Sequence, residues 1–375
     1  MNTFKLFAIA IGMVFAASFG YAGLIAPRSI ADLNQGATLI VVASVSAAPP
    51  QTRISNSLLL RVNRVVKGDG ALTGSAITVN WTPGSSNVGT GATGTGLWFL
   101  EQSPTGWTLM PVVQGNVPLS MAYFPTSSAG SITGAYAYGA TASTADKLAS
   151  EICFAIESSS GAGDFQLASL HYGILEELNS PVVGVMYQRM STSDIPQHRA
   201  LGLAGLIRLG NSDALTSASK AAADFASYPA ENGILLLNIR DQFRATDGAS
   251  VNALGQIAAD TTTNQPFREA AAHALAAIHT KDSLPYLAQL LSDGGVSLRV
   301  EAIGGLSAFA NGLSAQTSPG TPSLSHLQLP AGGPYQTAET IANFAIGSQA
   351  VEQREFEYLA FWKAWWTQQR IKLGY

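Results

Sequence analysis

The chain is poor in two things that usually reveal function. It has one cysteine, Cys153, in 375 residues, so no internal disulfide can form and no cysteine-based metal site can be assembled. Cys153 sits in "SEICFAIES" beside Ile152 and Phe154, which reads as a buried, inert thiol on the apolar side of a helix. Charge is equally sparse. Asp, Glu, Lys and Arg together make 12% of the residues, about half the share in an average soluble domain. With a net charge of −4 and no basic block, the chain lacks the electrostatic footprint of a nucleic-acid binder, and it carries no polybasic membrane patch. What fills the gap is Ala, Gly, Ser and Thr, on top of a hydrophobic fraction of 47% that supplies a large core.

Long apolar runs are missing too. The longest opens the chain: "MNTFKLFAIAIGMVFAASFGYAG" has one cation, Lys5, followed by an apolar stretch over 6–19 and then small residues. That stretch falls short of the roughly 20 residues a bilayer crossing needs. It reads as a cleavable secretory signal peptide over 1–22, cut after Ala22 or after Ser18, with an uncleaved anchor helix as the other reading. No cysteine lies near either cleavage point, so lipid attachment there is unsupported. The mature chain is expected to be exported, periplasmic or extracellular, with no membrane span.

Periodicity divides the rest. Over 23–125 the pattern has a period of two: "TLIVVASVSA" (38–47), "SLLLRVNRVVKG" (57–68), "SAITVNW" (75–81), "GLWFLEQS" (96–103) and "GWTLMPVVQG" (106–115), each closed by a turn cluster such as "KGDGALTG" or "SPTG". Short strands at this spacing with no helix between them predict an antiparallel β-barrel or sandwich. A Gly/Ser/Thr/Ala-rich linker spans 126–145. From 146 the period becomes about 3.6, with helices predicted near 146–157, 165–178, 181–190, 197–209, 214–226, 232–244, 250–259, 267–279, 283–292 and 297–310. An irregular stretch over 312–334 separates these from terminal helices over 335–375, where Phe356, Tyr358, Phe361, Trp362, Trp365 and Trp366 load one side.

The helical part repeats itself. "HRALGLAGLIRLGN" (198–211), "FREAAAHALAAIHT" (267–280) and "LRVEAIGGLSAFAN" (298–311) superpose Arg199, Arg268 and Arg299, and seven residues later Leu206, Leu275 and Leu306. The arginines lie 69 and 31 residues apart, so one copy is skipped if the period is roughly 34. "ENGILLLNIRDQFRA" with "SVNALGQIAAD" supplies it. One helical pair alone leaves a face bare, so such pairs stack. The recurring arginine reads as a stacking ladder, bonding to carbonyls or acids of the neighbouring pair, and the leucines as the seam between pairs.

These words resemble the short HEAT repeats of bacterial proteins, in which an Arg-Ala-Ala-rich helix is followed by a leucine-rich one. The resemblance covers 197–311 well and 146–190 weakly, and it implies an all-α solenoid over 146–311. The strand words "LIVVASVSA", "LLRVNRVVKG" and "LWFL" vaguely resemble OB-like or netrin-like barrels. The expected architecture is therefore α+β: a small barrel or sandwich, then a HEAT-like solenoid capped by the aromatic terminal helix.

Chemistry-bearing motifs are few. "GTGATG" (89–94) has the form of a dinucleotide fingerprint, but a strand rather than a helix follows it, so it reads as an interstrand loop. The histidines are His171, His198, His273, His279 and His326, and no carboxylate–histidine pair has ligand spacing along the chain. Glu176 and Glu177 are adjacent and diverge on a helix. No nucleophile elbow is present. The sequence thus implies no catalytic residue, cofactor or metal. Trp362, Trp365 and Trp366 are a candidate partner surface, weighed against a role in capping the last pair. The reading is an exported, non-enzymatic scaffold for a protein or peptide partner. The alternatives are an enzyme or accessory factor with a site between the two domains, or a barrel that inhibits secreted hydrolases.

Overall fold

A computed structural model describes residues 29–47, 57–80, 95–110, 123–125, 138–139, 141–161, 175–243, 247–313 and 348–375. The expected leader over 1–22, most of the 126–145 linker and the 314–334 stretch lie outside the described residues. The chain forms two compact units, Met1–Val182 and Val183–Tyr375.

The first unit begins with a helix that the strand pattern does not announce, α1 (Ile30–Gly36). Its start is a reciprocal cap: Ser29 Oγ accepts from the Asp32 amide at 3.0 Å, and the Ser29 amide donates to the Asp32 carboxylate at 3.2 Å. The strands then follow as β1 (Leu39–Ala47), β2 (Ser57–Lys67), β3 (Ala76–Asn80), β4 (Thr95–Ser103), β5 (Gly106–Leu109) and the short β6 (Tyr123–Pro125). Their order is β1-β2-β3-β5-β4-β6, and β1 also pairs with β4. The first five strands therefore close into a barrel, with β6 on the flank of β4.

An odd ring of strands cannot be antiparallel at every seam. The exception is β3–β5, which run parallel through Val79↔Trp107 and Asn80↔Thr108. The expectation of a purely antiparallel sheet is corrected at this one seam.

Cross-strand partners share a face, so the registers define the interior. Leu58↔Val79 and Leu60↔Ile77 link β2 to β3, Val45↔Leu60 and Ala43↔Val62 link β1 to β2, and Val41↔Trp98 and Leu39↔Leu100 link β1 to β4. In β2 the inward Leu58, Leu60 and Val62 are buried while Leu59 and Arg61 between them are exposed. Trp98 is fully enclosed, and its indole nitrogen donates to the Ala43 carbonyl at 3.1 Å. Its only polar atom is thereby satisfied in an apolar barrel.

β1 and β4 are buried on both faces, so Ile40, Val42, Leu97 and Phe99 need an outer cover. Helices provide part of it: α1 packs on β4, and α2 (Thr144–Gly161) packs on the neighbouring β2. Helix α2 lies within the first unit, and its Glu151, 1% exposed, is bound by Arg64 of β2 through paired bonds of 2.9 and 2.7 Å.

The second unit is helical: α3 (Pro181–Ser191, whose first two residues fall in the first unit), α4 (Pro196–Arg208), α5 (Ser212–Lys220), α6 (Pro229–Leu237), α7 (Gly248–Ala259), α8 (Gln265–Ile278), α9 (Leu284–Leu290), α10 (Val296–Ala310) and α11 (Ser348–Lys372). Proline in the first turn opens α4, α6, α8 and α9, where its missing N–H costs nothing. Side-chain caps from Asn211, Asp247 and Asn264 start α5, α7 and α8.

Packing follows a simple rule. Helix α4 meets α6, α5 meets α7, α7 meets α9, and α8 meets α10, while α4–α5, α7–α8 and α9–α10 pack as successive helices. The terminal α11 lies on α9 and α10. Close approach needs glycine at several contacts, two of them against tyrosine rings. A Cβ on Gly205 would fall 2.4 Å from the Tyr187 ring, and one on Gly255 would fall 2.3 Å from the Tyr286 ring. The seam leucines Leu206, Leu275 and Leu306 are all buried.

Candidate functional site

The three repeated arginines occupy one structural slot, the fourth residue of α4, α8 and α10. Each reaches a backbone carbonyl before its helix and an acid beyond it. Arg199 donates to the Ser193 carbonyl at 3.1 Å and to Asp224 at 2.9 Å, and its guanidinium lies 5.7 Å from the centre of the Phe225 ring. Arg268 donates to the Ala258 carbonyl at 2.9 Å and makes a tight pair with Asp293. Arg299 donates to the Asp293 carbonyl and to Glu355, both at 2.7 Å. Asp224 and Asp293 each follow their arginine by 25 residues.

Asp293 is therefore shared. Its side chain takes Arg268 and the Gly295 amide, while its carbonyl takes Arg299. Burial opposes its charge, but the Gly295 hydrogen bond and the Arg268 guanidinium outweigh that and hold the carboxyl below the usual carboxylate range. Arg299 is held charged more firmly than a free guanidinium, first by the hydrogen bond to Glu355. These side chains are mostly covered, with Arg268 and Asp293 only 11% and 12% exposed. Their geometry ties neighbouring helices and turns together and leaves little for a ligand.

A second polar set is open to solvent. The glutamate Glu301 on α10 lies 2.9 Å from Nδ1 of His273 on α8, and Asp241 lies 3.6 Å from Nε2 of the same ring. Asp241 comes from a π-helical turn over Asn238–Gln242 that continues α6. All three side chains are about one-third exposed. The imidazole lies between two acids, hydrogen-bonded to Glu301 and in looser ionic reach of Asp241. The set spans successive members of one helix row, and on α8 it continues one turn back to Glu269, which accepts from Gln265 at 2.7 Å.

Along the chain these residues share no ligand spacing, and sequence reasoning missed them. Asp241 reaches His273 from a turn whose π geometry has no sequence signature. Among the described residues, no group of three His, Cys, Asp or Glu is arranged to hold a metal ion. The two ring nitrogens face opposite acids, which suits recognition of charged groups better than convergence on one atom.

Tyr358, Trp362 and Trp365 of α11 turn inward, whereas Phe356 does not. Trp362 is fully buried and Trp365 is 3% exposed, joined edge-to-face at 5.4 Å between ring centres. Trp366 is half-buried and lies against Tyr375, whose hydroxyl donates to the Lys281 carbonyl at 2.9 Å. A partner meeting this packing would touch Phe356 and Ile371, which are 84% and 74% exposed, rather than Trp362 or Trp365. A shallow depression of about 530 Å³ lies along α3 beside Gly184, Val185, Gln188, Arg189 and Thr192, and carries no convergent titratable group. Among the described residues no helix is long and apolar enough to cross a membrane. No protein-family model, curated protein or solved structure matches the chain.

Proposed function

We propose that this is an exported, non-enzymatic binding protein in which an OB-like barrel precedes a HEAT-like solenoid, and that the solenoid offers its polar row to a protein or peptide partner. The carrying observation is the recurrence of one arginine slot, in α4, α8 and α10, within helices that pack on their second neighbours. Stacked pairs that bury their apolar faces on one another leave a continuous outer surface, and long surfaces of that kind suit extended partners. The strand order β1-β2-β3-β5-β4, closed through β1–β4, supports the OB-like reading of the barrel. The short apolar leader supports export.

Within the helical unit the contact we favour is the row Asp241, His273 and Glu301 with Glu269 beside it. Two carboxylates flanking one imidazole, with Glu269 further along α8 and all of them partly open to water, favour a partner that presents Lys or Arg side chains. Charges in such a rim govern encounter rate and selectivity more than affinity.

The test is capture of exported partners by the mature chain, compared with a variant carrying Asp241→Asn, His273→Ala and Glu301→Gln. The reading expects a partner that binds the mature chain, weakens as salt rises, and is lost from the variant. Equal capture by both proteins removes the row from the interface. No capture, together with turnover in a pooled hydrolase screen, replaces the scaffold reading with an enzymatic one.

A further inference from the structure

The arginine slot is filled in three helices and vacated in a fourth. The fourth residue of α6 is Asn232, and the position 25 residues beyond it is Ile257 rather than an acid. Both halves of the rung are absent together. The consequences are visible around α6. Asn232 Oδ1 and Asn238 Oδ1 are buried without a hydrogen-bond partner among the described residues, although the Asn238 amide group still donates to the Ile234 carbonyl at 2.8 Å. The helix does not end as α4 and α8 do but widens into the π turn at Asn238–Gln242. Helices α6 and α7 do not pack closely on each other as α4 and α5 do, and residues 221–227 before α6 form consecutive turns.

Each feature weakens the same place. A charged rung ties the start of a helix to the turns on either side, an unpaired buried amide oxygen forfeits its desolvation cost, and a π turn gives up the regular hydrogen-bond ladder. α6 and its π turn are also what touches α4 on one side and α8 on the other. We propose that α6 with its π turn is a yielding joint of the helical unit, opening ahead of α4 and α8 on either side and letting them shift relative to each other. Asp241 stands on the π turn, so opening of the joint withdraws it from His273 while Glu301 stays in place.

Native-state hydrogen exchange on the full chain, read by mass spectrometry, tests this. Amides of 229–242 are expected to exchange about tenfold to a hundredfold faster than those of α8 and α10, the range set by losing a hydrogen bond to a charged group. Arg268→Met, which empties a filled slot but keeps an apolar stem, should raise exchange in α8 by a similar factor. Asn232→Arg with Ile257→Asp, which builds the missing rung, should slow exchange in 229–242. Protection of α6 equal to that of α8 in the natural protein overturns the proposal. So does an Arg268→Met variant whose α8 exchange is unchanged, and that variant decides the matter if the rung-built protein fails to fold.

Discussion

The bond between the barrel and α2 offers the sharpest quantitative check. Glu151 is 1% exposed and Arg64 27%, and the two share a forked pair of hydrogen bonds. Burial alone would make the guanidinium easier to deprotonate, but the Glu151 hydrogen bond and charge more than reverse this. The Tyr138 hydroxyl adds a longer bond to the same carboxylate at 3.3 Å, and the phenol is pushed above its ordinary range by burial and then by that charge. Because the carboxylate is the deeper partner, the two single substitutions are unequal. Arg64→Met strands an enclosed charge with only a phenol for company and should cost about 3–5 kcal/mol. Glu151→Gln leaves a guanidinium that can turn to water and should cost about 1–3 kcal/mol. Arg64→Met combined with Glu151→Leu removes both charges and should recover about 2 kcal/mol or more of the Arg64→Met loss. A single unfolding curve would mix the two compact units, so the readout is hydrogen exchange in β2 and α2. There Arg64→Met should accelerate opening by roughly two to four orders of magnitude. Equal effects of the two single changes, or a double variant no better than Arg64→Met, would refute the assignment of the buried charge.

Three further outcomes are expected. Gly255→Ala should destabilise the helical unit by about 1–3 kcal/mol through overpacking on the Tyr286 ring, with partial rescue by Tyr286→Ala, measured by thermal unfolding. The lowered carboxyl of Asp293 contributes stability that is complete above the ordinary aspartate value of about 3.9 and is lost as pH falls through the lower folded value. Asp293→Asn should flatten that acid limb in pH-dependent unfolding, and an unchanged limb would count against the shared-acid geometry. Cys153 is buried, so a thiol reagent should label it only at the rate at which the first unit opens, and prompt labelling of the native chain would show that site to be accessible.

Much of the fold could be read from local pattern. Alternation in "SLLLRVNRVVKG" gave β2 almost to the residue, and prolines and small caps marked the helix starts. The capping pair Ser29–Asp32 was equally legible as S-x-x-D, yet α1 was read as part of a strand region because its seven residues are too few to show a period. Closure of the barrel was not legible, because β3–β5 is a parallel contact between strands separated by another strand in sequence. The arginine slot was visible as a repeat, but its acids were not. Asp224 and Asp293 follow at a fixed distance that no single helix period produces, and Glu355 comes from beyond a long insertion. Of the aromatic residues expected to load one side of α11, Tyr358, Trp362 and Trp365 are buried and Phe356 is exposed. Whether Trp362 faced a partner or its own fold depended on α9 and α10, which lie far away along the chain.

The place of β1 between β2 and β4 has a consequence for how the protein is made. A nascent chain that has emerged as far as Asn80 can assemble β1, β2 and β3 by neighbouring pairings, yet Leu39–Ser44 still have one flank with nothing to bond. That flank waits for Thr95–Leu100. Until then the newborn polypeptide displays a greasy, unpaired ribbon of Leu39, Ile40, Val41 and Val42, the sort of template on which strange chains add themselves. Synthesis pauses that hold the chain with residues 80–95 at the mouth of the ribosome should therefore raise aggregation, whereas pauses after residue 109 has emerged should not.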